Sequence, residues 1–378
     1  MDCPSEEYNK YLPKNYNFEI KKTLRLINSN GFTKVALQFP DGLLKYAPII
    51  CDIIEQHTSA KSIILGDVVY GGCCVDDQLS KILGCDILIH YGHSCIIPIT
   101  YMELRVLYVF VDIIFDVSHC VEMIKMIIEN ENKPVLENRN KLNIENADAT
   151  NQNIEHAITK KVALLGTIQF NRCINEIKKR IFEWNPNAIS SRLPQIKPLS
   201  PGEVLGCTSP VVDDTVVYIA DGRFHLESIM IQNPNVKFYK YCPFSKKMTL
   251  EEYDYNNLIQ EREYEIEKAM KCQIFGVILS TLGRQGNPEI VKNVTEYLKK
   301  ENKSVFLFHM NEISERSLDQ FDFIEAWVQV SCPRLSTDWG ANYRKPILNS
   351  SEIFNKGKYV MNYYSNENRE KWKNNYFK

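Results

Sequence analysis

The 378-residue sequence has almost no net charge: 45 Lys and Arg stand against 47 Asp and Glu, giving −2. Neutralising a phosphate backbone needs a basic surplus or a dense basic patch, so a strongly basic nucleic-acid binder is excluded. Long apolar runs are missing as well. The most apolar stretch, LYVFVDIIFDV at 107–117, is too short to span a bilayer and is interrupted by Asp112 and Asp116. The N-terminal stretch has no basic segment leading into an apolar one, so no secretory signal is expected and the location expected is the cytoplasm. A reduced compartment follows, in which cysteines are buried thiols, metal ligands or redox groups rather than disulfides.

Cysteine, by contrast, is plentiful at 12. A disulfide scaffold of that density would be small and secreted, and this chain is long enough for about two to three domains at roughly 150 residues each. Neither Cys-x-x-Cys nor a His pair spaced for a structural zinc site occurs.

Three segments share one pattern: KVALQFPDGLL from Lys34, KVALLGTIQFN from Lys161 and FGVILSTLGRQG from Phe275. Each is an apolar run, then a turn, then an apolar-periodic stretch, which predicts a buried strand followed by a helix. The helices are expected at 44–57, 173–184 and 288–300, the last opened by Asn287-Pro288 as N-cap and first turn. Further strands are expected at 62–65, 87–90, 107–111, 216–220, 237–241, 305–309 and 326–330. Alternation of this kind predicts an α/β protein of three related domains, with parallel sheets flanked by helices in a pseudo-threefold arrangement. Domain boundaries are expected at 1–128, 161–262 and 263–365. Between the first two lies 129–160, with eight Asn and too little apolar surface to order itself. A charged stretch at 249–268 reads as a solvated amphipathic helix, and 366–378 as a polar tail, mobile or docked on a partner.

Cys73, Cys207 and Cys332 recur at comparable intervals, each just after an apolar strand-like stretch. Gly72 and Gly206 precede the first two, letting the backbone approach something bulky, and Pro333 follows the third. In a three-domain ring they could hold three irons of a 4Fe-4S cube and leave the fourth free. The plainer reading is three unrelated core thiols. Cys74 is a packing thiol or a fallback ligand, and the other cysteines read as core thiols.

Eight motifs then run in order: LQFPDGLLKYAP, GDVVYGGCCVDD, LIHYGHSCIIP, GTIQFN, PQIKPLSPGEVLGCTSP, ADGRFHLES, TLGRQGNPEI and VSCPRLSTDWG. Over residues 39–340 the chain resembles the first-subunit family of eukaryotic 2-(3-amino-3-carboxypropyl)histidine synthases, the enzymes that begin diphthamide biosynthesis. The resemblance implies three domains that each donate one cysteine, at Cys73, Cys207 and Cys332, to a central 4Fe-4S cluster. It implies S-adenosylmethionine at the open iron, cleavage of the bond from sulfur to Cγ, and transfer of the 3-amino-3-carboxypropyl group to C2 of a histidine in translation elongation factor 2. It also implies a heterodimer with a paralogous second subunit and a small metal-binding electron donor, with no nucleic acid and no membrane. The departures are the Asn-rich insert and Gly72, where Ala is expected.

Two polar residues are candidates for holding the cosubstrate. Arg334, two residues beyond Cys332, has a fork suited to a carboxylate, against the plainer reading of a salt bridge. Gln285 sits in the turn where a strand ends, against the plainer reading of a turn-capping amide. His90, His93 and His225 are candidates for acting on the target imidazole, although such histidines more often satisfy local hydrogen bonds. Asp76 and Asp77 read equally well as helix caps. Quinolinate synthase shares the three-domain, three-cysteine scheme but suits these motifs poorly. A non-catalytic subunit that relays electrons or docks the substrate is the remaining alternative.

Overall fold

The computed structural model describes residues 11–131, 161–355, 359–374 and 376. The Asn-rich insert lies outside them apart from its start, which completes the helix Ser118–Glu131.

Three four-stranded sheets carry the fold. The first joins β1 (Lys34–Gln38), β2 (Lys61–Leu65), β3 (Ile87–Tyr91) and β4 (Arg105–Val109) in the order β2-β1-β3-β4, all parallel. The second joins β5 (Val162–Gly166), β6 (Thr215–Ile219), β7 (Phe238–Cys242) and β8 (Lys247–Glu251) in the order β8-β7-β6-β5, with β8 antiparallel. The third joins β9 (Ile274–Ser280), β10 (Ser304–Met310), β11 (Ala326–Val330) and β12 (Ile347–Asn349) in the order β10-β9-β11-β12, all parallel. In the second domain Ile189 makes an isolated parallel bridge to Val162. With that bridge taken as a second strand cut to one residue, all three domains share one strand order.

A helix follows each first strand: Ala47–His57, Asn171–Trp184 and Pro288–Lys300. The last shows why its sequence folds there. The Asn287 side chain accepts from the Glu289 amide at 2.9 Å, and Pro288 gives up an amide that has no helical partner anyway. Ile290, Val291, Val294 and Leu298 then fall on one face and are buried, about 1.5–3 kcal/mol of transfer free energy each.

The charged stretch is not one solvated helix. The turn after Cys242 folds the chain back as β8, and the helix that follows is Tyr255–Lys271. Leu258, Arg262, Glu265, Ile266 and Ala269 are buried on it, and Ile266 and Ala269 join the core of the third sheet. Arg262 looked like surface charge because its partner, Glu352, is far along the chain. This helix therefore opens the third domain, earlier than residue 263. Helix Ser118–Glu131, most of which lies within the bounds 1–128 expected for the first domain, packs into the core of the second. The tail is not free either: Trp372 shares a core with Tyr359, Met361, Tyr363 and Tyr364, which precede the tail, and with residues of all three domains. Among the described residues no helix is long and apolar enough to cross a membrane.

Candidate metal centre

Cys73 lies in the turn Gly72–Cys74 between β2 and β3, and Cys207 in the loop between Ile189 and β6. Cys332 instead follows β11, at the N-cap of the helix Pro333–Trp339. The three thiols thus come from two kinds of loop, not from equivalent strand ends. They nevertheless come close. Cys73 and Cys207 border the same core cluster, and Arg334, two residues beyond Cys332, donates to the Gly206 carbonyl beside Cys207 at 3.4 Å. The thiols are near enough for Cys207 and Cys332 to raise the pKa of Cys73, and Cys332 that of Cys207.

The donor set suits a cluster. Burial, then Cys332, pushes the Cys207 thiol up to about 12, and burial pushes Cys332 up to about 11. The Cys73 thiol is held well above its usual value by its hydrogen bond to Cys74, by burial and by the thiols around it. Sulfurs that suppress one another's ionisation this way are a site short of positive charge, and a metal would supply it and take the thiolates. Among the described residues no three His, Cys, Asp or Glu side chains gather closely enough for a single ion. Tetrahedral zinc, with bonds of about 2.3 Å to sulfur, needs that closeness; a polynuclear cluster, bound at separate corners, does not.

Cys74 is wrapped by the third domain. Gln285 Nε2 donates to its Sγ at 3.3 Å, and a Cβ on Gly283 would come within 2.5 Å of its backbone. Its pKa is drawn down to about 7, first by the hydrogen bond from Cys73, then by the Tyr70 and Gly71 amides and Gln285, against burial. The loop locks further where the Arg284 amide donates to Cys73 O at 2.8 Å and its guanidinium grips buried Asp77 at 2.8 and 2.6 Å. Asp76, by contrast, caps the helix Asp77–Ile82. Gly283 has φ +54°, so Gly283→Ala combines a left-handed backbone, about 1–2 kcal/mol, with overpacking, about 1–3 kcal/mol. A urea midpoint within experimental error of wild type would contradict this interlock. Gly72 is explained in the same way: a Cβ there would meet the Ser94 carbonyl oxygen at 2.5 Å.

Beside Cys332 opens a cavity of about 690 Å³, lined among others by Tyr70, Phe224, Gln285, Cys332, Arg334 and Trp339. Gln285 uses both amide ends, since its Oε1 also accepts from Ser331 at 2.8 Å. Arg334 is 1% exposed, and most of its fork is spoken for. Nε donates to Asp338 at 2.7 and 2.9 Å, Nη1 to the Phe224 carbonyl at 2.7 Å and Nη2 to Glu227 at 2.6 Å. Its guanidinium also lies 4.4 Å from the Phe224 ring. In this structure Arg334 ties the third domain to the second, and its charge is already balanced by two carboxylates.

His90 and His93 are buried, and His225 is half-buried. Gln38 donates to Cys74 O at 2.9 Å and its Oε1 faces His90 Nδ1 at 2.8 Å, so that nitrogen carries the proton. His90 Nε2 must then accept from His93 Nδ1, 3.1 Å away. Burial, then His225, draws His93 down to about 3; burial, then Arg334, draws His225 down to about 4, so both are neutral. The C-terminal segment, missed as part of the site, covers the thiols. The Tyr363 amide donates to Cys207 O at 3.1 Å, and buried Tyr364 feels Cys73, Cys207 and Cys332. Its aromatic residues were the available signal.

The diphthamide synthesis protein family matches residues 39–138 and 135–365. The chain is 46% identical to 2-(3-amino-3-carboxypropyl)histidine synthase subunit 1 of Encephalitozoon cuniculi, over 97% of this chain and 96% of that one. It belongs to this family. The subunit 1 of Dictyostelium discoideum is 43% identical over 97% of this chain and 74% of its own length. Among solved structures, Dph2 from Pyrococcus horikoshii with a 4Fe-4S cluster superposes with a TM-score of 0.72 at 25% identity, over 94% of this chain and 96% of that one. The expected α/β fold is therefore that of the diphthamide synthesis family. The name subunit 1 implies a complex of more than one chain.

Proposed function

We propose that this chain is the catalytic subunit that transfers the 3-amino-3-carboxypropyl group of S-adenosylmethionine to C2 of a histidine in translation elongation factor 2. The observation that carries the reading is the meeting of one thiol from each domain beside a cavity of about 690 Å³. That size is in the ordinary range for a small-molecule site. In this reading Cys73, Cys207 and Cys332 would hold a 4Fe-4S cluster, the kind of cluster present in the solved archaeal Dph2. Such a cluster supplies a low-potential electron and, with three protein ligands, an open iron.

The chain's own residues do the positioning. Gln285, fixed between Cys74 and Ser331, presents its amide at the cavity wall. Arg334 acts as a positioning residue: it braces Phe224 and Gly206 against Cys332, and one Nη2 hydrogen is left for the carboxylate of the cosubstrate. Which carbon–sulfur bond breaks is then set by orientation, a contribution that fixed contacts make well. Overall, one electron enters and methylthioadenosine leaves as the carbon–sulfur bond breaks. The carbon radical adds to C2, and loss of one electron and one proton restores the imidazole. Of the three candidate histidines, His225 is assigned to the acceptor imidazole because its Nδ1 is unpaired, whereas His90 is engaged by Gln38 and His93. A paralogous second subunit and a small metal-binding electron donor complete the system, in the cytoplasm.

The test is product analysis. The reduced chain with its partner should release methylthioadenosine from S-adenosylmethionine and label the elongation factor; deoxyadenosine, or no product, contradicts the reading and favours an electron-relay subunit. Gln285→Ala should weaken cosubstrate binding about tenfold, the loss of roughly one hydrogen bond, while iron content and visible absorption stay unchanged. Unchanged affinity removes Gln285 from the site.

A further inference from the structure

The acceptor histidine must reach the reacting carbon by a way the cosubstrate does not fill, and a second cleft offers one. Resting on the function proposed above, we infer that the cleft between the first and second domains receives the acceptor imidazole, with Asp221 and His225 as its recognition groups. The cleft measures about 370 Å³. It opens between the loop after β1, with Pro40 and Gly42, and the loops after β5 and β6, with Gln169, Asp221 and Gly222. All are carboxyl ends of parallel strands, where open α/β sheets place their ligands.

Phe224 lines both this cleft and the cavity beside Cys332. Its ring is pinned between Gly206, where a Cβ would run into it, and the Arg334 guanidinium. The two spaces are thus divided by a side chain anchored next to Cys207.

The polar groups match an imidazole. His225 Nδ1 is fully buried and has no hydrogen-bond partner among the described residues. A buried polar atom left unpaired costs about 1–3 kcal/mol, so the ring has hydrogen-bonding capacity to spare. Asp221 is exposed and close enough to act on His225 electrostatically. A neutral imidazole carries a donor on one nitrogen and an acceptor on the other; the carboxylate takes the first and the His225 ring can donate to the second. The mouth is open to a protein loop: a Cβ on Gly42 or Gly222 meets nothing within 4 Å, and Phe244 at the rim is 54% exposed.

Gly42→Phe and Gly222→Phe add bulk at the cleft from positions where a Cβ meets nothing within 4 Å, and both glycines lie outside the left-handed region. Each is assayed as the reduced complex with the partner subunit, for methylthioadenosine release without elongation factor 2 and for transfer to the factor. Iron content and melting temperature serve as folding controls. Release is expected to stay within about twofold of wild type while transfer falls at least about tenfold, a difference above 1.4 kcal/mol in the transfer step. His225→Phe, which replaces the imidazole with a ring lacking both nitrogens, is expected to raise the KM for the factor about tenfold at unchanged iron content, and an unchanged KM removes His225 from the cleft's recognition groups. Normal transfer in both glycine variants overturns the inference, and so does equal loss of release and transfer in folded protein, because the cleft would then belong to the cosubstrate. If wild type releases no methylthioadenosine, the proposed function fails instead.

Discussion

Cys207→Ala is expected to lower iron and sulfide from about four each per chain to less than one, with loss of the visible absorption and of all transfer. The same holds for Cys73→Ala and Cys332→Ala. Each thiol comes from a different domain, so removing one leaves the cluster anchored at two corners on two bodies. Metal affinity in such sites is also folding free energy, because ligands from distant parts of the chain must be brought together. The Thr208 hydroxyl reaches the Cys207 sulfur at 3.7 Å, and the Tyr363 amide holds the Cys207 carbonyl rather than its side chain, so alanine there takes away a ligand and keeps its backbone surroundings. Cys74→Ala is the internal control. Its sulfur is held by Gln285 and backbone amides, and its loss should leave iron above half of wild type. Anaerobic purification with iron and sulfide counts decides the matter: full iron in all three ligand variants would overturn the assignment, and iron lost only with Cys74 would move the first ligand by one residue.

Arg262→Leu is expected to destabilise the fold by about 3–5 kcal/mol, the usual loss when one partner of a buried ion pair is removed. Arg262 is 1% exposed. It donates to Glu352 through Nε at 2.7 Å and Nη2 at 3.0 Å, and through Nη2 to the Ile347 carbonyl at 2.8 Å. Burial is the largest single influence on its charge and opposes it; attraction to Glu352 and hydrogen bonding outweigh burial, so its pKa is raised. Glu352 in turn accepts from the Asn349 amide and from Tyr359, which belongs to the segment covering the thiols. Leucine at 262 would leave that carboxylate buried and unpaired. Urea unfolding gives the number. The double variant Arg262→Leu, Glu352→Leu should recover much of the loss, since apolar pairs often replace buried ion pairs at little cost. A single-variant effect below about 1 kcal/mol would mean that water reaches Glu352.

Much of the fold was legible because its signals are local. The runs from Lys34, Lys161 and Phe275 became β1, β5 and β9, and Asn287-Pro288 capped its helix. The elements misread were those whose environment is made by distant residues. Arg262 and Glu265 look solvated until Glu352 and the third sheet are in place. Trp372 looks like part of a polar tail until it packs against Tyr363. Arg334 reads as a free fork from Cys-Pro-Arg, yet Asp338, Glu227 and two carbonyl groups from the second domain take up most of its donors.

The sequence by itself determined the repeated strand–turn–helix units and the family, and it singled out Cys73, Cys207 and Cys332 from 12 cysteines as the proposed ligands, because periodicity, turn chemistry and motif order are written along the chain. Only the tertiary structure decided that the third cysteine arrives from a different loop than the other two, that Cys74 is held by Gln285, and that Phe224 stands between two cavities. Those are relations between domains, set by how three sheets pack together, and no local pattern of residues encodes them.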